Sequence, residues 1–312
     1  MRALMRHVKR VVEVVVGVVT ALVGGSYSGT IKYVGGVLAP NGMIYFVPAT
    51  ATQILKLDPS TDTTSLVGSV YSGSKWQGSI LAPNGMIYLV PAGFGQILKL
   101  DPSTDTTTLI GSDYGVTASA KWFGGVVAPN GMVYFTVYNA NQILKLNPLT
   151  DTTSLVGSVY SGSSKWAGGV LAPNGMIYFV PRNATQILKL DPSTDTTTLV
   201  GSVYSETNKW FGGVLAPNGM IYFAPFSKSQ ILQLDPLTDT TTLVGDVYSS
   251  TTKYIGAVLS ANGDIYCSTY NSSQILKLSN VNIPNIIGSD AQIPTDLADL
   301  ATSNYNKYYN KL

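Results

Sequence analysis

Lys165-Trp-Ala-Gly-Gly-Val-Leu-Ala-Pro-Asn-Gly-Met-Ile-Tyr-Phe179 decides the fold, because near-copies of it recur through the chain. The opening lysines of the copies are Lys32, Lys75, Lys121, Lys165, Lys209 and Lys253, in steps of 43, 46, 44, 44 and 44 residues. A period of this size with no helical patterning is the signature of blades in a β-propeller. Each unit reads as four short strands, here a to d. Strand a is the Gly-Gly-Val-Leu-Ala run ending near Ala39, and Pro40-Asn41-Gly42 turns it into strand b, Met43–Val47. Asn-Gly is a strong short-range hairpin signal. Strand c is Gln53–Leu57, Asp58-Pro-Ser-Thr-Asp62 forms the next turn, and strand d is Thr63–Gly68. The expected fold is all-β: a six-bladed propeller of four-stranded antiparallel blades over residues 25–290. Strand a, with its paired glycines, should lie nearest the axis where blades crowd.

The spacing within a unit is rigid everywhere but one place. The stretch from the glycine ending strand d to the next lysine is 7 residues after Gly68, 10 after Gly111 and 8 in the next three copies. A second variable zone, in sequence and not length, joins strands b and c, as in Pro48-Ala-Thr-Ala-Thr against Pro181-Arg-Asn-Ala-Thr. In a propeller the d–a and b–c loops emerge together on one face. That face is diversified and the opposite one is uniform, so binding residues are sought on the former.

The ends are less regular. Residues 1–24 form an N-terminal tail with two readings. Arg2, Arg6, Lys9 and Arg10 ahead of the apolar run Val11–Val23 resemble a signal peptide or anchor. Yet Thr20-Ala-Leu-Val-Gly-Gly-Ser-Tyr-Ser-Gly29 matches Thr64-Ser-Leu-Val-Gly-Ser-Val-Tyr-Ser-Gly73, so it also reads as a surplus strand d. The run is too short for a bilayer, and no transmembrane span is expected. Residues 283–288 are expected to complete the sixth blade. Residues 291–312 form a C-terminal tail with a short helix at 294–301.

The unit Gly-Val-Leu-Ala-Pro-Asn-Gly-Met-Ile-Tyr-Phe followed by Gln-Ile-Leu-Lys-Leu-Asp-Pro resembles the NHL repeat and the broader regucalcin and gluconolactonase-like propellers. The resemblance covers about residues 25–290 and implies architecture more than activity. The Asp that many NHL blades carry after strand b is replaced by Pro48, Pro91, Val137, Pro181, Pro225 or Thr269.

Catalytic chemistry finds few residues. The one histidine, His7, lies in the tail, and the one cysteine, Cys267, reads as a small buried hydrophobe. The histidine general base that related antibiotic lyases use has no counterpart in any blade. Nine of the 17 acidic residues sit at c–d turns, dispersed around a rim and suited to turn formation. Strand a carries no acid that could hold a central cation, as regucalcin-like lactonases do. No catalytic residue, metal or cofactor is assigned.

The binding candidates are the lysine–aromatic pairs Lys32-Tyr33, Lys75-Trp76, Lys121-Trp122, Lys165-Trp166, Lys209-Trp210 and Lys253-Tyr254, with the loop residues Tyr138, Arg182, Phe226, Lys228 and Tyr270. Two readings of the pairs stand side by side. In one the aromatics wedge between blades and the lysines reach to water. In the other they form a cationic mouth for an anionic ligand. The expected function is a non-catalytic binding or interaction module whose partner is a protein, a glycan or another anion. A lactonase- or lyase-like hydrolase and a structural surface-repeat protein are the alternatives. Nucleic acid is not favoured, because the net charge is only +2 and charged residues are 12% of the chain. The chain is expected to be a monomer. Its low charge and two sequons, Asn183-Ala-Thr185 and Asn271-Ser-Ser273, lean toward an extracellular setting.

Overall fold

The computed structural model describes residues 21–73, 75–115, 120–249 and 252–281. Within them the chain is all-β and arranged as a six-bladed propeller: five four-stranded antiparallel sheets and a sixth of three strands. Blade 1 runs Tyr33–Leu38, Ile44–Pro48, Ile54–Asp58 and Thr63–Val67, within a residue or so of the expected bounds except that strand a begins earlier. Blade 6 comprises Tyr254–Leu259, Ile265–Thr269 and Leu276–Leu278. Residues 283–288 and 294–301 lie outside the described residues. Among the described residues, no helix is long and apolar enough to cross a membrane.

Strand a is innermost, and each one packs against the next from blade 1 to blade 6. Glycine makes this approach possible at Gly212. Its φ is +70°, and a Cβ there would stand 2.6 Å from Gly256 Cα of the next blade. Between blades lie apolar clusters built from strands a, b and c of both neighbours, such as Tyr178, Val180 and Ile187 against Trp210, Phe223 and Leu232. The tyrosines of strand b repeat one environment: Tyr45, Tyr88, Tyr134, Tyr178 and Tyr222 are buried. Ile54, Ile97, Ile143, Ile187 and Ile231 of strand c are buried too. Ile275, the blade 6 counterpart, is instead 64% exposed, because no fourth strand of blade 6 lies among the described residues to cover it.

A repeated polar device joins the blades on the c–d face. Between blades 3 and 4, Asn130 Nδ2 donates to Pro192 O at 2.7 Å and Tyr134 OH donates to Asp195 Oδ1 at 2.7 Å. Lys145 Nζ completes it with Asp195 Oδ2 at 2.6 Å. The same three contacts recur at the 1–2, 2–3 and 4–5 boundaries, centred on Asp105, Asp151 and Asp239. The turn role expected of the aspartates also holds. Asp58, Asp101 and Asp191 accept the backbone N–H two residues on, and Asp62, Asp105, Asp151, Asp195 and Asp239 take φ near +55°. Four of these carboxylates are also ion-paired to a lysine of the preceding blade.

Candidate functional site

The lysine ring differs from the exposed cationic mouth that the second reading expects. Lys75, Lys121, Lys165, Lys209 and Lys253 are buried, and Lys32 is half-buried. Their ammonium groups bind loop carbonyls. Lys75 donates to Ala51 O, Lys165 to Gly162 O, and Lys209 to Arg182 O and Glu206 O. Lys121 donates to Phe94 O and Gly115 O, and Lys32 to Tyr27 O. Burial lowers the pKa of all five buried lysines, to about 8 for Lys165 and Lys209. Trp76, Trp122, Trp166 and Trp210 are buried beside them, each donating its indole N–H to a glutamine carbonyl of the same blade. Tyr254 is buried and Tyr33 half-buried at the equivalent places. The aromatics are buried as the first reading expects, but the five buried lysines do not reach to water as it also expects: the ammonium groups of Lys32, Lys75, Lys121, Lys165 and Lys209 pin the variable loops to strand a.

That pinning creates a site one step further along. The backbone N–H of Ala49, Ala92, Tyr138, Arg182, Phe226 and Tyr270 donates to the carbonyl of Lys32, Lys75, Lys121, Lys165, Lys209 and Lys253 in turn. These residues therefore hold one equivalent position in the six blades. Blades 1 and 2 place alanine there, whereas blades 3 to 6 place Tyr, Arg, Phe and Tyr. The position also receives the next blade, since Lys165 N donates to Tyr138 O, Lys209 N to Arg182 O and Lys253 N to Phe226 O. The side chains stand on a hydrogen-bonded frame, not on loose loops.

Two residues of strand a, Phe123 and Phe211, complete an aromatic arc with them. Phe123 stacks on Tyr138 at 5.5 Å, Phe211 on Phe226 at 5.9 Å, and Phe226 on Tyr270 at 5.6 Å between centroids. Phe123 and Phe211 meet edge to face at 5.2 Å although they belong to blades 3 and 5, which are not neighbours. Their contact therefore spans the face at the axis, in front of the small Ala167 of blade 4. Arg182 sits at the centre of the arc, its guanidinium 5.4 Å from the rings of Tyr138, Phe211 and Phe226. Asn208 Oδ1 accepts from Nε at 3.0 Å, and the Tyr138 hydroxyl accepts from Nη1. Burial lowers the Arg182 pKa, with the Tyr270 phenol opposing, but a guanidinium stays charged. Three of its five N–H donors have no acceptor among the described residues.

The structure thus brings together four of the loop residues predicted from sequence, Tyr138, Arg182, Phe226 and Tyr270. Lys228 lies apart, paired with Glu206 Oε1 at 2.5 Å and set over Tyr204 and Trp210. Phe123 and Phe211 were missed. The available signal was that their position in strand a, filled elsewhere by Val34, Gln77, Ala167 and Ile255, varies within an otherwise uniform strand. Two open depressions of about 420 and 520 Å³ lie on the c–d face, lined by equivalent residues such as Asn174, Met176 and Lys189 or Asn130, Met132 and Lys145. They repeat with the blades and gather no special chemistry. Among the described residues no three His, Cys, Asp or Glu cluster as a metal site would require. Cys267 is buried and its thiol pushed up to about 12, which makes it inert at neutral pH.

Fold and site together define a six-bladed β-propeller with an aromatic, singly cationic arc on its variable face. Solved structures of that class resemble it. The chain is similar to a catalytically inactive His-to-Ala variant of virginiamycin B lyase from Staphylococcus aureus with quinupristin, at 13% identity and a TM-score of 0.68 over 81% of this chain and 82% of that one. It is similar to a streptogramin B lyase at 18% identity and a TM-score of 0.66, over 80% of each. The extracellular domain of a candidate one-component system from Bacteroides thetaiotaomicron is similar at 13% identity and a TM-score of 0.58, covering 76% of this chain and 32% of that one. Identities this low establish the shared fold alone, which agrees with the propeller resemblance read from the repeat. No family model and no curated protein sequence matches the chain.

Proposed function

We propose that the propeller is a non-catalytic binding module whose variable face takes a small ligand carrying a carboxylate on a planar apolar body. The carrying observation is the half-buried Arg182 cation, fixed by three rings and Asn208 but with three donors unengaged. A guanidinium fork matches a carboxylate in two parallel hydrogen bonds. The phenylalanines beside it supply area for stacking. Ala49 and Ala92 at the equivalent positions of blades 1 and 2 keep the opposite side of the face low. The lyase-type alternative lacks support from the residues, since the only histidine is His7 in the tail. The extracellular domain of a one-component system among the similar folds is compatible with a ligand-binding role.

Benzoate is the probe for this reading, with benzyl alcohol as its neutral counterpart. Benzoate should shift the NMR signals of Phe123, Phe211 and Tyr270, and Arg182→Met, which keeps an unbranched stem, should abolish the shifts. Equal responses to benzoate and benzyl alcohol, or an unchanged response in Arg182→Met, would reject the assignment.

A further inference from the structure

Among the described residues blade 6 ends in an uncovered strand edge, and the residues on both sides of the 6–1 boundary keep the whole set of groups that elsewhere join blades. Four internal boundaries use an Asn and a Tyr of strand b's hairpin and a Lys of strand c, reaching an Asp and a Pro carbonyl of the next blade. At the 5–6 boundary the set is given up on both sides at once. Gln233 replaces the lysine, and Ile283 stands in the sequence where the aspartate would be. At 6–1 nothing is given up: Asn262, Tyr266 and Lys277 remain in blade 6, and Pro59 and Asp62 remain in blade 1. Yet Asp62 makes no hydrogen bond among the described residues, and Tyr266 and Lys277 are engaged within their own blade, Lys277 Nζ meeting Asp264 Oδ2 at 2.8 Å and lying beside Tyr266.

The segment just before blade 1 identifies what covers the edge. At the exits of blades 1 to 4 the residue after the terminal glycine of strand d donates its N–H to a threonine of the next blade. Ser69 does so to Thr107 at 2.8 Å, Ser112 to Thr153 at 2.9 Å and Ser158 to Thr197 at 2.9 Å. Gly25 N makes this same bond to Thr64 of blade 1 at 2.8 Å, and Tyr27 OH reaches Thr64 as Tyr160 OH reaches Thr197. Residues 24–27 therefore occupy the exit of a blade that precedes blade 1. Inside each complete blade a glutamine also donates to that terminal glycine's carbonyl, from Gln53 to Gly68 through Gln230 to Gly245, always 15 residues apart. The Gln274 side-chain amide has no partner among the described residues, and Gly24 offers the missing carbonyl.

We infer that residues 21–23 supply the fourth strand of blade 6 and close the ring, with Gln274 donating to Gly24 O and Tyr266 and Lys277 meeting Asp62. The blade 1 register, Ile54 opposite Val67 and Leu55 opposite Leu66, places Ile275 opposite Val23 and Leu276 opposite Leu22. Val23 is 45% and Ile275 64% exposed, and pairing buries both. Residues 283–288 fit the edge less well. Pro284 cannot donate to a ladder, and Gly288 falls 14 residues after Gln274, one short of the spacing every other blade uses. Closure also brings Ala49 of blade 1 beside Tyr270 of blade 6 on the variable face.

The test uses the full chain with Cys267→Ala, Val23→Cys and Ile275→Cys. Opposed residues of antiparallel strands lie within disulfide range, so mild oxidation should give an intrachain disulfide in the monomer. In the unmodified chain, Ile275→Ala should lower the unfolding midpoint about as much as Ile143→Ala does. A disulfide formed only between chains would assign the edge to a second copy and overturn the proposal. Free thiols together with a destabilising Ile275→Ala would assign it to another strand, such as 283–288, and equally overturn it. A silent Ile275→Ala would show the edge uncovered.

Discussion

Lys145 Nζ of blade 3 stands 2.6 Å from Asp195 Oδ2 of blade 4. The other oxygen of that carboxylate takes the buried Tyr134 hydroxyl at 2.7 Å, so one side chain holds two groups of the neighbouring blade. The pair's side chains are 22% and 30% exposed, between the surface regime and a buried bridge. Because Asn tolerates the positive φ of position 195, Asp195→Asn removes the charge and keeps the turn. It should destabilise by about 1–2 kcal/mol, within the range for charge-assisted bonds and above that of an exposed pair. Urea unfolding of Asp195→Asn, Lys145→Gln and the double variant should show non-additivity.

Titration of the same interior gives stability an unusual pH profile. Burial holds Lys165 and Lys209 at about 8, below the ordinary 10.5. Above pH 8 the folded chain releases protons that the unfolded chain keeps, so stability rises with pH up to about 10. Burial, aided by a neighbouring aspartate, raises Tyr45 and Tyr88 to about 12 from 10.0. Above pH 10 the unfolded tyrosines ionise while the folded ones stay protonated, so stability falls. Unfolding midpoints from pH 7 to 11.5 should therefore peak near about pH 10. Replacing both lysines with Met should flatten the rising limb and leave the falling one.

The architecture was legible because Lys165–Phe179 and its copies carry the same turn and strand chemistry six times. What escaped the sequence is pairing between copies. Lys145 and Asp195 are 50 residues apart in adjacent units, and each alone reads as an exposed strand residue and a turn residue. The lysines of strand a were placed at the correct end, but the carbonyls that surround them belong to loops whose path no spacing reveals. Tyr138, Arg182, Phe226 and Tyr270 stood out as loop variants. Their convergence with Phe123 and Phe211 depends on blades 3 and 5 meeting across the axis, a three-dimensional fact.

Glycine at the centre of the ring has unequal importance. At Gly35, φ is +66° and a Cβ would meet nothing within 4 Å, so Gly35→Ala should cost only the backbone strain of about 1–2 kcal/mol. At Gly212 the same strain is joined by a Cβ 2.6 Å from Gly256 Cα and 3.0 Å from its N. Backbone cannot swing aside as a flexible side chain can. Gly212→Ala should therefore destabilise by about 3 kcal/mol or more. Comparable unfolding midpoints for the two variants would refute the close approach of blades 5 and 6.

Thr136 of blade 3 is fully buried, and its hydroxyl has no hydrogen-bond partner among the described residues. The equivalent residues Val47, Val90, Val180 and Ala224 are apolar, and Ser268 of blade 6 directs its hydroxyl to Ile255 O. The Thr136 methyl and hydroxyl occupy the volume of a valine, so Thr136→Val removes an unsatisfied polar group without opening a cavity. A buried donor left unmade costs about 1–3 kcal/mol, and the variant should be more stable by about 1 kcal/mol, raising Tm by about 2 °C. Thr136→Ser keeps the hydroxyl and deletes the methyl, so it should move Tm the other way. A lower Tm for Thr136→Val would mean that the hydroxyl has an acceptor in solution, an ordered water bridging it to the backbone, and high-resolution crystallography would then find that water at the Thr136 side chain.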